Sequence, residues 1–214
     1  MLRPRILDLF CGAGGAAMGL HRAGFDVLGV DIKRQPHYPF AFDQADALTY
    51  PLDGFDAYWA SPPCQRFSKS VDKKDRTKHP DYIDAIRQRL IATGKPYIIE
   101  NVPQAPLINS IQLCGSSFGL RLHRHRIFEG YVPLLVLPCS HSWMPADLPC
   151  AWNRKNPLRV YAVSGGWQHV PFEDVKKAMG IEWEVTPKEL SEAIPPAYSE
   201  FLGKWLQSMY FTNK

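Results

Sequence analysis

A short apolar run, a cluster of glycines and a helical stretch follow one another near the start of the chain. Residues 6–10 predict a buried strand, and residues 12–15 predict a glycine-rich turn. Residues 16–22 then predict a helix that ends before Gly24, and a second strand follows over residues 25–30. Because two parallel strands need a crossover connection, usually a helix, this order predicts the beginning of a parallel sheet.

The alternation of strands and helices continues towards the middle of the chain. A third short element ends near Asp46, and residues 55–60 predict a fourth strand. Residues 81–92 have helical periodicity up to a glycine stop signal, and residues 96–102 predict another strand. We therefore predict an α/β fold with a doubly wound, mostly parallel sheet and helices on both faces.

The pattern weakens after residue 126. Residues 127–128 and 131–137 are expected to form a late antiparallel pair, and helical periodicity returns at 172–179 and 197–209. The stretch 138–170 is rich in Pro, Trp, His and Ser and follows no clear period. We expect this stretch to belong to a small irregular lobe that carries specificity.

The composition is that of a soluble globular protein with a hydrophobic core. Apolar residues make up 45% and charged residues 21% of the 214 positions, and the formal net charge of +4 favours anionic partners only weakly. Prolines interrupt the uncharged stretch 130–146, and Asp8 interrupts the first apolar run, so we expect neither a membrane span nor a signal peptide. Five cysteines without regular spacing fit a reducing cytoplasm.

One cysteine occupies a stiff turn. Pro62-Pro63-Cys64-Gln65 follows the predicted strand 55–60, and consecutive prolines restrict φ and supply no backbone donors. The thiol of Cys64 is thereby presented at a strand end, where open α/β sheets build their active sites. Most free cysteines are small buried hydrophobic residues, but the flanking prolines and glutamine argue against that interpretation here. We predict that Cys64 is a nucleophile.

The glycine-rich turn is a candidate cofactor loop. Residues 12–17 fit the pattern G-x-G-x-x-[GA], and Asp31 ends the next predicted strand. A dinucleotide is one ligand that fits this arrangement. S-adenosylmethionine is another, with its methionine end over the glycines, its ribose on Asp31 and its adenine amine on Asp46. The glycines alone do not decide between them, and a turn that serves packing only is the third alternative.

Three segments resemble the motifs of the cytosine-C5 DNA methyltransferases in order and spacing, and two further segments are similar to motifs of that family. The five segments are residues 8–15 (DLFCGAGG), 61–65 (SPPCQ), 100–102 (ENV), 124–126 (RHR) and 192–196 (EAIPP). The resemblance implies a fold of the S-adenosylmethionine-dependent methyltransferase type with a small irregular lobe. It also implies S-adenosylmethionine as the methyl donor and double-stranded DNA as the substrate.

The resemblance implies a role for each matching residue. Cys64 would be the nucleophile, Glu100 would anchor the base, and Arg126 would hold its O2 edge. Arg124 would orient Glu100 or grip phosphate. The implied cofactor-binding residues are Phe10, Gly12, Ala13, Gly14, Gly15, Asp31, Ile32, Asp46 and Ala47. The implied nucleic-acid contacts, in a loop expected to close on duplex DNA, are Gln65, Ser68, Lys73 and Lys74.

The chemistry of the reaction explains these residue types. Carbon 5 of cytosine is a poor nucleophile and does not attack a methylsulfonium unaided. A thiolate that adds to C6 makes an enamine whose C5 can attack, so one difficult step becomes two easier ones. Electron flow into the ring requires a proton or hydrogen bond at N3, which a buried carboxyl such as Glu100 supplies in its acid form. No residue is assigned as the base that removes the C5 proton.

The chain departs from the family pattern in three places. Leu122 stands where a glutamine usually precedes the arginine pair. Glu192 stands where an asparagine usually lies near the cofactor, so it is not assigned as a ligand. The region in which the family inserts a recognition domain is also short, so we expect a core over 1–130, a reduced target-recognition lobe over 131–185, and a segment over 186–214 that returns to the core. A short target or relaxed specificity would follow. The groups available in the lobe for reading or stacking are Trp143, Trp152, Arg154, Lys155, Arg159, Trp167 and His169.

Several cysteines and histidines lie outside these motifs. The candidate metal ligands are Cys139, His141 and Cys150, with His123, His125 and His169 elsewhere. Because they lack the paired spacing of a zinc site, we predict no metal, with a zinc ion that orders residues 138–150 as the alternative. Cys11 and Cys114 are predicted to serve packing.

Three other functions stay open. An RNA cytosine methyltransferase is the nearest, because a related branch that acts on tRNA retains the Pro-Pro-Cys-Gln loop, although its Cys-Phe-Thr tripeptide is absent here. A nicotinamide-dependent oxidoreductase would leave Cys64 and Glu100 unexplained, and an inactive DNA- or cofactor-binding module would make Cys64 a relic. We expect a monomeric enzyme in the cytoplasm of a prokaryote, or one encoded by a phage. A place in a restriction-modification system, in phage protection or in regulation stays open.

Overall fold

One mixed sheet organises the protein. The computed structural model describes residues 2–69, 71–136, 138–139 and 171–211. The strands are β1 (Arg5–Leu9), β2 (Asp26–Asp31), β3 (Ala41–Gln44), β4 (Ala57–Ala60), β5 (Tyr97–Asn101), β6 (Ile111–Leu113) and β7 (Arg126–Gly130). The helices are α1 (Gly15–Arg22), α2 (Lys73–Arg76), α3 (Ile83–Ala92), α4 (Phe172–Met179), α5 (Pro187–Glu192) and α6 (Pro196–Tyr210), with a 3₁₀ turn over Gly115–Phe118.

The strands follow the order β3-β2-β1-β4-β5-β7-β6 across the sheet. The first five strands in this order are parallel, whereas β7 is antiparallel to both β5 and β6. The strand order reverses between β1 and β4, and in doubly wound folds such a switch point is where ligands bind, outside the carboxyl ends of the parallel strands. The prediction of a doubly wound, mostly parallel α/β fold is confirmed.

Hydrophobic cores cover both faces of the sheet. On one face, α1 and α6 pack over Ile6 and Trp59, with Tyr198 of α6 fully buried. On the other face, Ile86 and Leu90 of α3 pack over the next residues along the same strands. Successive side chains of a strand point to opposite faces, and a parallel sheet with two covered faces therefore needs apolar residues in succession. The sequence of β4, AYWA, meets that requirement and is buried throughout.

A buried ion pair ties α3 to the antiparallel edge. The Arg87 guanidinium donates to both carboxylate oxygens of Glu129 in β7, from Nε at 2.5 Å and from Nη2 at 2.8 Å. Glu129 also accepts from the backbone N–H of Ile108 at 2.7 Å, and Arg87 also donates to the Pro106 carbonyl at 3.1 Å. Because these contacts join α3 to β7 and join both to the loop before β6, the pair orients the three segments together.

The late antiparallel pair was predicted with the wrong partner. Residues 127–128 do lie in an antiparallel strand, but its outer neighbour is β6 over Ile111–Leu113, and no strand is assigned to the described part of 131–137. A three-residue strand carries too little pattern to be detected by its period. The proposed recognition groups from Trp143 to His169 lie outside the described residues. Within the part of the chain that is described, no helix has both the length and the apolar character that a membrane crossing requires.

Candidate active site

The predicted catalytic and cofactor residues gather at one edge of the sheet. The glycine loop follows β1, Asp31 ends β2, and the Cys64 loop follows β4. Glu100 lies near the end of β5. The carboxyl ends of parallel strands share an edge, and β7 runs in the opposite direction, so its first residue, Arg126, lies at that edge too.

The Cys64 loop is held by its backbone. The Asn101 side chain, which follows Glu100, donates from Nδ2 to the Pro62 carbonyl at 3.0 Å. The Cys64 carbonyl accepts from the N–H groups of Phe67 and Ser68, each at 2.9 Å, so the chain turns immediately after the thiol. Neither proline has an N–H to satisfy, and the Asn101 contact therefore fixes the loop through a carbonyl. The sequence did not assign this role to Asn101, although the residue lies within the matching segment 100–102.

Cys64 is partly buried in a charged environment. Burial raises the pKa of its thiol, and the nearby Glu100 carboxylate raises the pKa further. Arg126 and Arg124 act in the opposite direction, because a positive charge stabilises the thiolate. The net shift is upwards, so the thiol is protonated at neutral pH when no substrate is bound.

Glu100 and Arg126 form an ion pair whose charges act on the Cys64 thiol. Arg126 Nε lies 3.0 Å from Glu100 Oε1, and Glu100 is 7% exposed. Removal of the carboxylate from water raises the pKa of Glu100, and the two arginines and a hydrogen bond from Ser61 only partly offset that rise. Arg126 is itself held by a hydrogen bond from Nη1 to the His125 carbonyl at 2.8 Å. The pKa of Glu100 is thus above its ordinary value even with both arginines close by.

Arg124 is buried behind the pair. It is 3% exposed, and its Nη2 donates to the Ser191 carbonyl at the end of α5 at 2.8 Å. Its own carbonyl accepts from the Tyr198 hydroxyl at 2.5 Å. Burial, with Arg126 close by, lowers the pKa of Arg124 to about 9. The side chain does not reach the surface, which favours the alternative in which Arg124 orients Glu100 over the one in which it grips phosphate. The sequence assigned no role to Tyr198, which lies in the predicted helix 197–209.

The loop after β1 has an unusual backbone and open space around it. Phe10 has a φ of 59°, which a bulky residue seldom adopts, and Gly12 has a φ of 49°. A Cβ built on Gly12 would meet nothing within 4 Å, so a ligand can approach the backbone there. Gly14 and Gly15 differ, because a Cβ on either would strike Pro39 or the Ile194 carbonyl. Of these three glycines, only Gly12 therefore leaves room for a ligand beside its Cα.

Asp31 joins the loop to the second strand. Its Oδ2 accepts from the Gly12 N–H at 3.2 Å, and its Oδ1 accepts from the Lys33 N–H at 2.9 Å. The neighbouring Ile32 is 65% exposed, so its side chain is accessible to a ligand. Asp46 is exposed after β3, and Ala47 beside it is buried. An acidic oxygen for a ribose and an apolar contact for a purine fit an adenosyl cofactor.

The predicted nucleic-acid contacts lie after the nucleophile. Gln65 and Ser68 are partly buried in the turn that follows Cys64. Lys73 and Lys74 are exposed on the short helix α2. The structure therefore leaves both lysines accessible to a polyanion beside the Cys64 loop.

Part of the chain is similar in sequence to known proteins. Residues 4–109 match the family model described as C-5 cytosine-specific DNA methylase. The Type II methylase M.HgiDII of Herpetosiphon aurantiacus is 32% identical in a match that covers 49% of this chain and 34% of that protein. Residues 4–109 belong to the cytosine-C5 methyltransferase family. The chain spans about a third of the length of this curated relative.

Solved structures with the same fold extend over nearly the whole chain. Entamoeba histolytica methyltransferase EhMeth aligns with a TM-score of 0.60 at 12% identity, covering 97% of this chain and 99% of that one. S. pombe Dnmt2 methyltransferase aligns with a TM-score of 0.62 at 15% identity, covering 98% and 100% of the two chains. These likenesses concern the fold. The cytosine-C5 methyltransferase family uses S-adenosylmethionine, and the Gly12, Asp31 and Ile32 geometry fits that cofactor.

Proposed function

We propose that this cytosine-C5 methyltransferase transfers a methyl group from S-adenosylmethionine to C5 of a cytosine flipped out of duplex DNA. The observation that carries the proposal is the placement of Cys64 beside the buried Glu100–Arg126 pair, at the edge of the sheet that also bears the glycine loop. Thiol, carboxyl and guanidinium are the three groups that activation of C5 needs, and the proposal places one cytosine ring in contact with all of them.

Cys64 begins the reaction as the nucleophile. Its sulfur forms a bond to C6, the C5–C6 double bond opens, and the electron pair moves into the ring as an enamine. Glu100 delivers a proton to N3 or holds one there, so the ring does not carry the full negative charge. Burial already favours the acid form of Glu100, which prepares it for this role.

Arg126 and the protein backbone control charge around the base. Arg126 is restrained by the His125 carbonyl and by Glu100, and it would face the O2 side, where negative charge develops. Arg124 lies behind it as a positioning residue and keeps the pair in place through Ser191 and Tyr198. The two positive charges also favour the thiolate of Cys64 when the base enters and its proton leaves.

The cofactor supplies an electrophilic methyl group. C5 of the enamine would take that methyl as the S–CH₃ bond of the donor breaks and leaves a thioether. The C5 proton would then be lost to a base, and the bond between Cys64 and C6 would break to restore the ring. Gly12 and Asp31 would hold the donor, and exposed Ile32 would pack on its purine. The family to which residues 4–109 belong is described by its action on DNA, which favours DNA over RNA.

The experiment measures transfer of labelled methyl groups to duplex DNA, to single-stranded DNA and to tRNA in parallel. We expect labelling of duplex DNA by the native protein and none by Cys64→Ser. A duplex containing 5-fluorocytosine should trap a denaturation-resistant protein–DNA complex with the native protein only. Labelling of tRNA alone would replace DNA with RNA as the substrate, and full activity of Cys64→Ser would refute the covalent route.

A further inference from the structure

A cluster of sulfur and nitrogen ligands lies outside the catalytic groups. The ligand atoms of Cys114, His123 and His125 all lie within 4.8 Å of one another. Cys139 adds a fourth, because its Sγ is 3.6 Å from His125 Nε2 and its thiol is hydrogen-bonded to that of Cys114. Cys114 is buried, both histidines are half-buried, and Cys139 is exposed, so the cluster reaches from the core to the surface.

The sheet register brings these residues together. Leu113 of β6 pairs with Arg126 of β7, so the next positions along the two antiparallel strands are Cys114 and His125. Opposed residues in an antiparallel pair share a face. In an extended segment, side chains two residues apart also share a face, which places His123 on the side of His125. Packing was predicted for Cys114 because its position opposite His125 depends on β6, a strand that the sequence pattern did not predict.

We propose that Cys114, His123, His125 and Cys139 bind a structural zinc ion. Two thiolates and two imidazoles form one of the ligand sets that zinc prefers, and a closed tetrahedral site needs four of them. With Zn–S near 2.3 Å and Zn–N near 2.0 Å, ligand atoms in such a site are separated by about 3.3–3.8 Å. The 3.6 Å separation of Cys139 from His125 falls in that interval, and the 4.8 Å limit on the other three needs only a small contraction.

Binding would balance the charges of the cluster. The thiols of Cys114 and Cys139 each lose a proton to solvent, two Zn–S bonds form, and the neutral imidazoles add two Zn–N bonds. The divalent ion and the two thiolates together are neutral, so the half-buried centre carries no net charge. The Ser116 hydroxyl donates to Cys114 Sγ at 3.4 Å, a contact that supports a metal-bound thiolate from outside the ligand set.

The position of the cluster gives the ion a role in the architecture. His123 and His125 flank Arg124, and Arg126 follows directly. The two histidines face the cluster, whereas Arg126 contacts Glu100 on the catalytic side. A zinc ion would therefore clamp the backbone that presents both arginines. This ligand set shares Cys139, His123 and His125 with the candidate ligands named from the sequence and adds Cys114. The remaining candidates, His141, Cys150 and His169, lie outside the described residues.

The test begins with the metal content of the full chain, purified without chelator. We expect about one zinc per chain by elemental analysis in the native protein and in Cys64→Ser, which alters a cysteine outside the cluster. Cys139→Ser and His125→Gln should each lose the ion. Cys139→Ser is the less disruptive of the two, because its side chain is exposed.

Two further measurements use the native protein, so they test the zinc site even if a variant folds poorly. Exchange of the native protein into Co²⁺ should produce the thiolate charge-transfer and visible bands of a tetrahedral site. Bound zinc should also protect Cys139 from iodoacetamide, with the reaction restored by a chelator. Absence of zinc together with no cobalt spectrum would overturn the proposal. A native mass lower by the two thiol hydrogens would instead identify a Cys114–Cys139 disulfide, and retention of zinc in both ligand variants would exclude this ligand set.

Discussion

Replacement of Glu100 by glutamine removes the acidic proton of this side chain but preserves its size and shape. The substitution keeps an oxygen that can accept from Arg126 Nε, now at 3.0 Å from the carboxylate, but it removes the acid that we assign to N3. Loss of a positioned general acid typically lowers a rate by about 10²–10⁴-fold, which corresponds to roughly 3–5 kcal/mol in the barrier. We expect a loss in that range in single-turnover methyl transfer to duplex DNA.

The same change should alter the pH dependence in a specific way. Activity needs Glu100 protonated and Cys64 deprotonated, while the pKa of each group is raised by burial. At pH values between the two pKa values, each pH unit lowers the protonated fraction of Glu100 about tenfold and raises the thiolate fraction of Cys64 about tenfold. The native rate depends on both fractions and is therefore flat with pH in this interval. Without the Glu100 titration, only the thiolate fraction remains, and the Glu100→Gln rate should rise by about tenfold per pH unit over the same interval.

Stability supplies an independent check on the Glu100 assignment. A carboxyl whose folded pKa is raised contributes stability below its unfolded pKa and loses that contribution as the pH rises through the folded pKa. Above the folded pKa the charged form of Glu100 therefore costs stability, and at such a pH Glu100→Gln should unfold at a temperature no lower than the native protein. The matched control is Glu192→Gln, an exposed carboxylate at the end of α5, which should leave rate, pH profile and unfolding unchanged. A flat pH profile for Glu100→Gln, or a rate within a few-fold of native, would refute the assignment.

Three further predictions concern the ion pair, the DNA surface and the helix contact. Glu129→Gln leaves Arg87 buried without its charge partner and should lower the free energy of unfolding, measured by urea titration, by about 3–5 kcal/mol. Asp84 is the exposed partner of the same arginine, so Asp84→Asn should change the free energy of unfolding by less than about 1 kcal/mol. Charge reversal of Lys73 and Lys74 should weaken DNA binding and make the slope of log binding constant against log salt concentration shallower by about 2. Charge reversal of the exposed Lys177 and Lys188, on α4 and α5, is the control and should leave that slope unchanged. An unchanged slope for the Lys73 and Lys74 variant would remove α2 from the interface. Gly19→Val should destabilise the protein by roughly 1–3 kcal/mol by thermal unfolding, because its Cβ would strike the Pro196 carbonyl and Ser199 of α6; a native unfolding temperature would show that the two helices can separate freely.

Local sequence pattern was sufficient to predict the parallel half of the fold. The strands β1, β2, β4 and β5 are short apolar runs between turn signals, and α1 and α3 have clear periodicity, so each was predicted to within a few residues. The antiparallel edge was not predicted, because β6 has three residues and gains its stability from pairing with β7. Glu129 in β7 likewise gave no local sign of its pairing with Arg87 in α3, 42 residues away.

The sequence by itself determined the chemistry that the protein can perform. Cys64 after two prolines, Glu100 at a strand end and the glycines before α1 are local signals, because each depends on residues adjacent in the chain. The tertiary structure alone decided what surrounds those groups. It buries Glu100 against Arg126 and thereby favours the acid form, withdraws Arg124 from the surface, and brings Cys114 to His123, His125 and Cys139. Burial and the meeting of distant side chains depend on strand register, and local sequence pattern specifies that register only where one strand is long enough to show its faces.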